Sequence, residues 1–367
     1  MSLKKVFHNI HLVLGLVSGL IVFLVAISGC IYVFEEEARV VFQNKYYYVS
    51  PQNIQTRHTL TAVTAQVKRS FPNEVITQIR IKELNDAAII YHTKTDKAIS
   101  INPYTLVIIG ERNLKTDFFN WIEEFHTKLH LGDIGEVIIK VNVLLFFILC
   151  ISGLIIWWPK QKAAFKKAVT IKFNANSWKK LNWDLHSVLG FYALFVLIII
   201  SFTGMFWVFD VVKETVAFAT NSKVTNTKAP KLLVTDNDSI VLSMDAAYAI
   251  AAKQYPGANY TIISMPKKVE EPLRVLLRFP YTIVRKQHTI FYNQYTGKKL
   301  REDLYTNYTP YDKVMRSNYD FHTGRIRALG IGSKIIYFLA SLFAASLPIT
   351  GTLIWWNRYK KSKRFFV

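Results

Sequence analysis

Cysteine is nearly missing from this chain: 367 residues contain only Cys30 and Cys150. No Cys-x-x-Cys-His occurs, which excludes covalent c-type haem attachment. The two cysteines fall near opposite ends of two different apolar runs, so a disulfide, limited to a Cα separation of about 7 Å, is not expected. No thiolate or carboxylate cluster completes a zinc shell. The i,i+4 imidazole pair, His126 and His130 in HTKLH, lacks the glutamate of a metalloprotease helix. Flavin and nicotinamide fingerprints are absent too, because Gly330-x-Gly332 follows no strand and has no third glycine.

Negative charge is also scarce, with 25 Asp and Glu against 46 Lys and Arg and a net charge of +21. Three segments have no acid at all: the stretch holding Lys4 and Lys5, the seven lysines between Pro159 and Asn182, and the tail from Arg358 to Arg364. No basic patch with interleaved aromatics or recognition motif accompanies them, so nucleic acid is not the expected partner. Each basic segment flanks a long apolar run, and the positive-inside rule accounts for them. Both termini are then cytoplasmic and both long inter-helix segments lie outside.

The apolar runs are Leu12–Phe34, Val141–Trp158, Ser187–Phe209 and Ile335–Trp356. Ser187–Phe209 is 23 residues without a charge, longer than the hydrocarbon core of a bilayer, about 30 Å, requires. Lys4-Lys5, an apolar run and Ser28-Gly29-Cys30 resemble a lipoprotein signal, but the run passes Cys30 and continues to Phe34, so a retained helix is expected.

These runs repeat. His11-x-x-x-Gly15 with Ser28-Gly29 matches His186-x-x-x-Gly190 with Thr203-Gly204, each with 18 residues from histidine to second glycine. Ser152-Gly153 with Trp157-Trp158 matches Thr350-Gly351 with Trp355-Trp356, preceded by His126 and His322 respectively. The expected fold is a membrane α-helical bundle of four transmembrane helices in two pseudo-symmetric repeats, with two small extracytoplasmic α+β domains. The expected boundaries are helix one 1–34, outer domain one 35–125, helix two 126–160, basic loop 161–182, helix three 183–209, outer domain two 210–320, helix four 321–357 and basic tail 358–367. The Trp pairs, beside Lys and Arg, are read as interfacial belts.

In the first outer segment, Thr61–Phe71 has helical spacing, Pro72-Asn73 breaks it, and Val75–Ile81, Ala87–His92 and Ala98–Ile101 alternate as strands. The second repeats that order with Met244–Tyr255, Pro256-Gly257, Tyr260–Met265, Leu273–Phe279, Thr289–Tyr292 and a Tyr295-Thr296-Gly297 turn. Thr220–Ala229 reads as a loop. Neither segment shows a nucleophile with a base, and His58, His92 and His288 stand alone as structural residues.

This order, with its paired FHTG and TGTLIWW segments, resembles the PepSY-associated transmembrane proteins over nearly the whole chain. The resemblance implies PepSY-like outer domains, a bacterial inner-membrane location, and a likeness to siderophore-iron reductases that carry two b-type haems.

The histidines form a pattern of their own. His11 and His186 enter from the cytoplasmic face, and His126 and His322 lie where helices two and four begin outside. Ionisable residues at membrane depth face the bundle interior, and two neutral imidazoles make a six-coordinate haem centre suited to electron transfer. Gly15 and Gly190, one turn beyond their histidines, leave room for a porphyrin face or for close helix packing. His8 and His130 are alternates. Repeat register favours His11 over His8 and, by 27 residues to Gly153 against 29 from His322 to Gly351, His126 over His130.

The expected activity is transmembrane electron transfer through two haem b groups to an extracytoplasmic acceptor, with ferric siderophore implied by the resemblance. The donor would be separate, either a quinol or a cytoplasmic reductase. The competing expectation is a non-enzymatic anchor whose outer modules bind a peptide, protease or transporter. A transport pore is disfavoured, since the only intramembrane charges, Glu136 and Lys140, lie near the edge of helix two.

Overall fold

The computed structural model describes residues 3–50, 56–173, 177–232 and 242–363. The end of the expected tail, with Arg364, lies outside the described residues. The chain divides into two compact units: Met1–Glu35 with Trp121–Thr215 and Asn318–Val367, and Glu36–Asn120 with Val216–Ser317.

The first unit is the bundle. Helices α1 (Leu3–Val33), α4 (Gly132–Trp157), α5 (Trp178–Val208) and α8 (Ile331–Lys363) are each long and apolar enough to span a bilayer. α1 packs on α4 and α8, and α5 packs on the same two, so α1 and α5 lie across the bundle from each other. The bundle is turned inside out relative to a water-soluble one. Val17 and Phe195 are exposed, while Ser18, Ser152, Ser201, Ala193 and Ala344 are buried. That distribution is what lipid selects, because small residues let helix backbones approach where no hydrophobic force drives them together. The hydroxyls are satisfied within their own helices: Ser18 donates to the Leu14 carbonyl (2.8 Å) and Ser201 to that of Leu197 (2.7 Å).

Two shorter helices, α3 (Phe118–Lys128) and α7 (Pro310–Thr323), precede α4 and α8. The expected helices 126–160 and 321–357 each run across a break. Leu129, His130 and Gly132 have positive φ between α3 and α4, and Gly324 and Gly330 do between α7 and α8. At Gly324 (φ 71°) a Cβ would lie 2.7 Å from the Tyr337 ring, so both conformation and space require glycine. α5 begins at Trp178, earlier than the expected 183, because its first two turns continue through a π-helical turn, Leu185–Leu189. Cys30 and Cys150 are free and buried.

The second unit corrects the expectation of two separate outer domains. Strands β1 (Ile76–Lys82), β2 (Ile89–Thr93), β3 (Lys97–Ile101), β4 (Ile108–Asn113), β5 (Tyr260–Ser264), β6 (Leu273–Arg278), β7 (Gln287–Tyr292) and β8 (Lys299–Asp303) form one antiparallel sheet in the order β4-β3-β2-β1-β5-β6-β7-β8. β1 and β5 join the two segments, with Ile79 opposite Ile263, each seven residues after its Pro72 or Pro256. Both isoleucines are fully buried in a single core shared with Val63 and Val67 of α2 (Leu60–Ser70) and Ala247 and Ala251 of α6 (Met244–Gln254). The helices begin alike: Thr59 Oγ1 accepts from the Ala62 amide and Ser243 Oγ from that of Ala246. Thr220–Ala229 contains no helix or strand beyond the end of its preceding turn.

Candidate functional site

Four histidines converge in two tiers. His11 of α1 and His186 of α5 face each other with ring centroids 6.4 Å apart and planes at 89°. His126 of α3 and His322 of α7 do so at 6.2 Å and 75°. The structure thus brings together the residues that the repeat register pairs.

The alternates lie elsewhere. His8 Nε2 accepts from the Arg358 guanidinium (3.2 Å), and His130 is turned out of the α3 register by its φ of 55°. His130 packs on Trp121 with its Nδ1 3.4 Å from a Glu124 carboxylate oxygen. It therefore does not share a helix face with His126, and the HTKLH imidazoles build no metal site.

Each histidine is held by the hydroxyl of one Ser/Thr-Gly pair on another helix. His11 Nδ1 meets Ser152 Oγ at 3.0 Å, His186 meets Thr350 Oγ1 at 2.8 Å, His126 meets Ser28 Oγ at 2.9 Å, and His322 meets Thr203 Oγ1 at 2.9 Å. Each hydroxyl spends its own proton on a carbonyl of its helix: Ser152 on Leu149, Thr350 on Ser346, Ser28 on Val25 and Thr203 on Ile199. The oxygen must then accept from Nδ1–H. His322 Nδ1 is also 3.0 Å from the Ile200 carbonyl, which can only accept. The network therefore assigns the proton to Nδ1 and leaves the Nε2 lone pair for a ligand.

The glycine of each pair supplies the space. A Cβ at Gly153 or Gly351 would stand 3.2 Å from Cε1 of His11 or His186, and one at Gly29 or Gly204 3.5 Å from that of His126 or His322. In the sequence these dipeptides are only markers of the repeat. Their role depends on which helices are neighbours, which one-dimensional spacing does not contain.

The separation of the rings is compatible with one metal held between them. With a metal–nitrogen bond of about 2.0 Å and about 1.1 Å from nitrogen to ring centroid, two imidazoles on opposite sides of one metal have centroids about 6.2 Å apart. Both tiers match. Among the described residues no group of three or more His, Cys, Asp or Glu could hold a metal, so a metal there must bring its remaining ligands with it. Between His11 and His186 a cavity of about 500 Å³ opens, lined also by Gly15, Gly190, Trp157 and Trp355. That size is in the range of cofactor pockets. Gly15 and Gly190 face this space with only Leu149 and Leu347 near, at 3.9 and 3.5 Å. The Trp pairs divide: Trp157 stacks on Phe191 (3.7 Å, 9°) and lines the cavity with Trp355, whereas Trp158 and Trp356 are exposed. The inner member of each pair is a cavity wall, which corrects the belt reading for Trp157 and Trp355.

Two buried asparagines complete the arrangement. Asn182 donates to the Thr350 carbonyl and Asn318 to that of Thr203, both at 3.0 Å, each one turn before its histidine. A signal for them was present, Asn-Trp-Asp-Leu-His at 182–186 and Asn-Tyr-Asp-Phe-His at 318–322. Trp207 packs on His322 with centroids 4.9 Å apart. His288 is structural, accepting from the Tyr305 amide among Tyr255, Phe279 and Tyr305, and the side chain of His58 is exposed.

A family model described as PepSY-associated TM region matches residues 8–358. No curated protein matches the chain.

Proposed function

The chain belongs to the PepSY-associated transmembrane family, and on that premise we propose that it is a di-haem electron conduit. His11 and His186 would hold one b-type haem and His126 and His322 the other, in two repeats related by pseudo-symmetry. Bound haem supplies a one-electron ferric/ferrous couple. The chain's own residues do the rest. Ser152, Thr350, Ser28 and Thr203 fix the imidazole tautomer, the paired glycines clear the ring edges, and the apolar helices keep water from the tiers.

Ser28 lies seventeen positions beyond His11 along α1, a rise of about 25 Å, so the tiers lie near opposite faces of the membrane. The acid-free basic segments support a His11 tier on the cytoplasmic side of a bacterial inner membrane. Electrons from a quinol or a cytoplasmic reductase would enter there. The acceptor outside is an oxidised iron chelate, a ferric siderophore, reduced by one electron to a ferrous form that hard-oxygen chelators hold less well.

The observation that carries this reading is the repeated centroid separation, 6.4 and 6.2 Å, with all four Nδ1 atoms engaged by hydroxyls. Purified protein from haem-replete cells is expected to show a Soret band at two haems per chain. His186→Ala and His322→Ala should each remove one haem. Colourless, correctly folded wild-type protein sinks the conduit and favours a membrane anchor that presents the sheet to a partner.

A further inference from the structure

Strand register sorts the charges of the sheet. With Ile79 and Ile263 turned into the core, the opposite face carries Gln78, Arg80 and Lys82 of β1. Following the pairs outward, that face also receives Arg274 and Arg278 of β6 and Arg301 of β8 on one side, and His92 of β2 and Arg112 of β4 on the other. Among the strand residues of this face, six cations stand against one carboxylate, Asp303, which Arg301 engages at 3.1 Å.

Three of these cations, Arg80, Lys82 and Arg112, meet at a small cavity of about 50 Å³ lined also by Tyr47, His92 and Tyr260, with the alkyl groups of Ala88 and Ile90 completing it. No acidic side chain lines it. Arg112 is neutralised from outside the cavity by Asp117 (3.5 Å), which also binds Arg39. Among the described residues, Arg80 and Lys82 have no carboxylate within ion-pair distance: Arg80 Nε donates to the Gln78 amide oxygen (2.7 Å), and the Lys82 ammonium lies over the rings of Tyr47 and Tyr48. Burial and then the neighbouring Arg80 and Arg112 push the His92 imidazole down to about 3, so at neutral pH it offers one N–H donor without adding charge. A site with two uncompensated cations, a neutral imidazole and two phenols is complementary to anionic oxygen. Its volume exceeds the roughly 10–15 Å³ that one water needs on the same measure, and admits a carboxylate or phosphate group, not a whole iron chelate.

We propose that the Arg80–Lys82–His92–Arg112 pocket binds one anionic oxygen group, a carboxylate or a phosphate, of a ligand outside the bundle. The site stands on the sheet alone and is independent of the haem reading. The full-length protein in nanodiscs of zwitterionic lipid is expected to bind citrate and inorganic phosphate saturably by calorimetry, in a chloride buffer. Arg80→Gln and Lys82→Met should each weaken that binding at least tenfold without loss of cooperative melting, whereas Lys94→Met, an exposed lysine, leaves it unchanged. Repeating the titration in nanodiscs doped with phosphatidylglycerol separates the sources. A soluble ligand's affinity holds, while a lipid headgroup that occupies the pocket competes the citrate away, and either result places an anion at the site. Absence of saturable binding in the zwitterionic discs, or equal affinities for wild type and both variants, overturns the proposal.

Discussion

Ser152 and Thr350 occupy positions where a hydroxyl has two tasks, donating to its own helix and accepting from an imidazole. Replacing either with alanine leaves Nδ1–H without its acceptor in an apolar bundle. Outer-shell partners of metal-binding histidines are worth about 10–100-fold in affinity. On the proposed di-haem reading, Ser152→Ala or Thr350→Ala is therefore expected to weaken haem retention by that order and shift the midpoint potential of the His11/His186 centre alone, as read by redox titration. Gly153→Val acts through volume. With the first added carbon already 3.2 Å from the His11 ring, the branched side chain displaces the imidazole, and on the same di-haem reading the pigment content should fall from two haems to one.

A third residue-scale prediction concerns the sheet unit. Asp117 accepts from Arg39 at 2.6 and 2.9 Å and from Gln43 at 3.1 Å. Burial pushes its carboxyl up, but the Arg39 and Gln43 hydrogen bonds outweigh it and hold the group below the usual carboxylate range. A depressed folded value means that this stabilisation is present above the unfolded carboxylate range and is lost as pH falls through the folded one. Asp117→Ala removes the carboxylate that the partly buried Arg39 and Arg112 share, and breaking a buried pair costs about 3–5 kcal/mol. Thermal melts should show the variant destabilised at pH 7, with the gap to wild type narrowing in acid.

At the scale of elements, the legible and the hidden separate cleanly. The β1, β2, β3, β5, β6 and β7 strands show in the sequence through alternation, while β4 and β8 do not. IIGERN and KLRED carry the charges that edge strands need to avoid pairing with other chains, and those charges mask the pattern. The break between α3 and α4 was equally hidden, because Leu129 and His130 hold positive φ without being glycine. The β1–β5 junction is the element on which the single core depends. Ile263→Ala removes a fully buried side chain at the centre of the sheet and is expected to destabilise that unit by about 2–5 kcal/mol, measured as earlier limited proteolysis of the β5–β6 region.

For the molecule as a whole, the arrangement of charge predicts a topology. Cys30 and Cys150 are buried, so background thiol labelling is low. A cysteine placed at exposed Lys94 should react with a membrane-impermeant maleimide in intact spheroplasts, and one at exposed Lys172 only after lysis. The reverse pattern would invert the direction of electron flow proposed above.

Sequence by itself determined the four spanning helices, because length and hydropathy are properties of one dimension, and its spacing singled out the four histidines that the fold brings into two pairs. Only the tertiary structure decided that the two outer segments share one sheet, that each Ser/Thr-Gly pair serves a histidine on another helix, and that Arg80, Lys82, His92 and Arg112 surround one cavity. The physical reason is common to all three. Hydrogen bonds between helices, cross-strand register and the clustering of like charges depend on which elements become neighbours, and packing, not spacing along the chain, settles that.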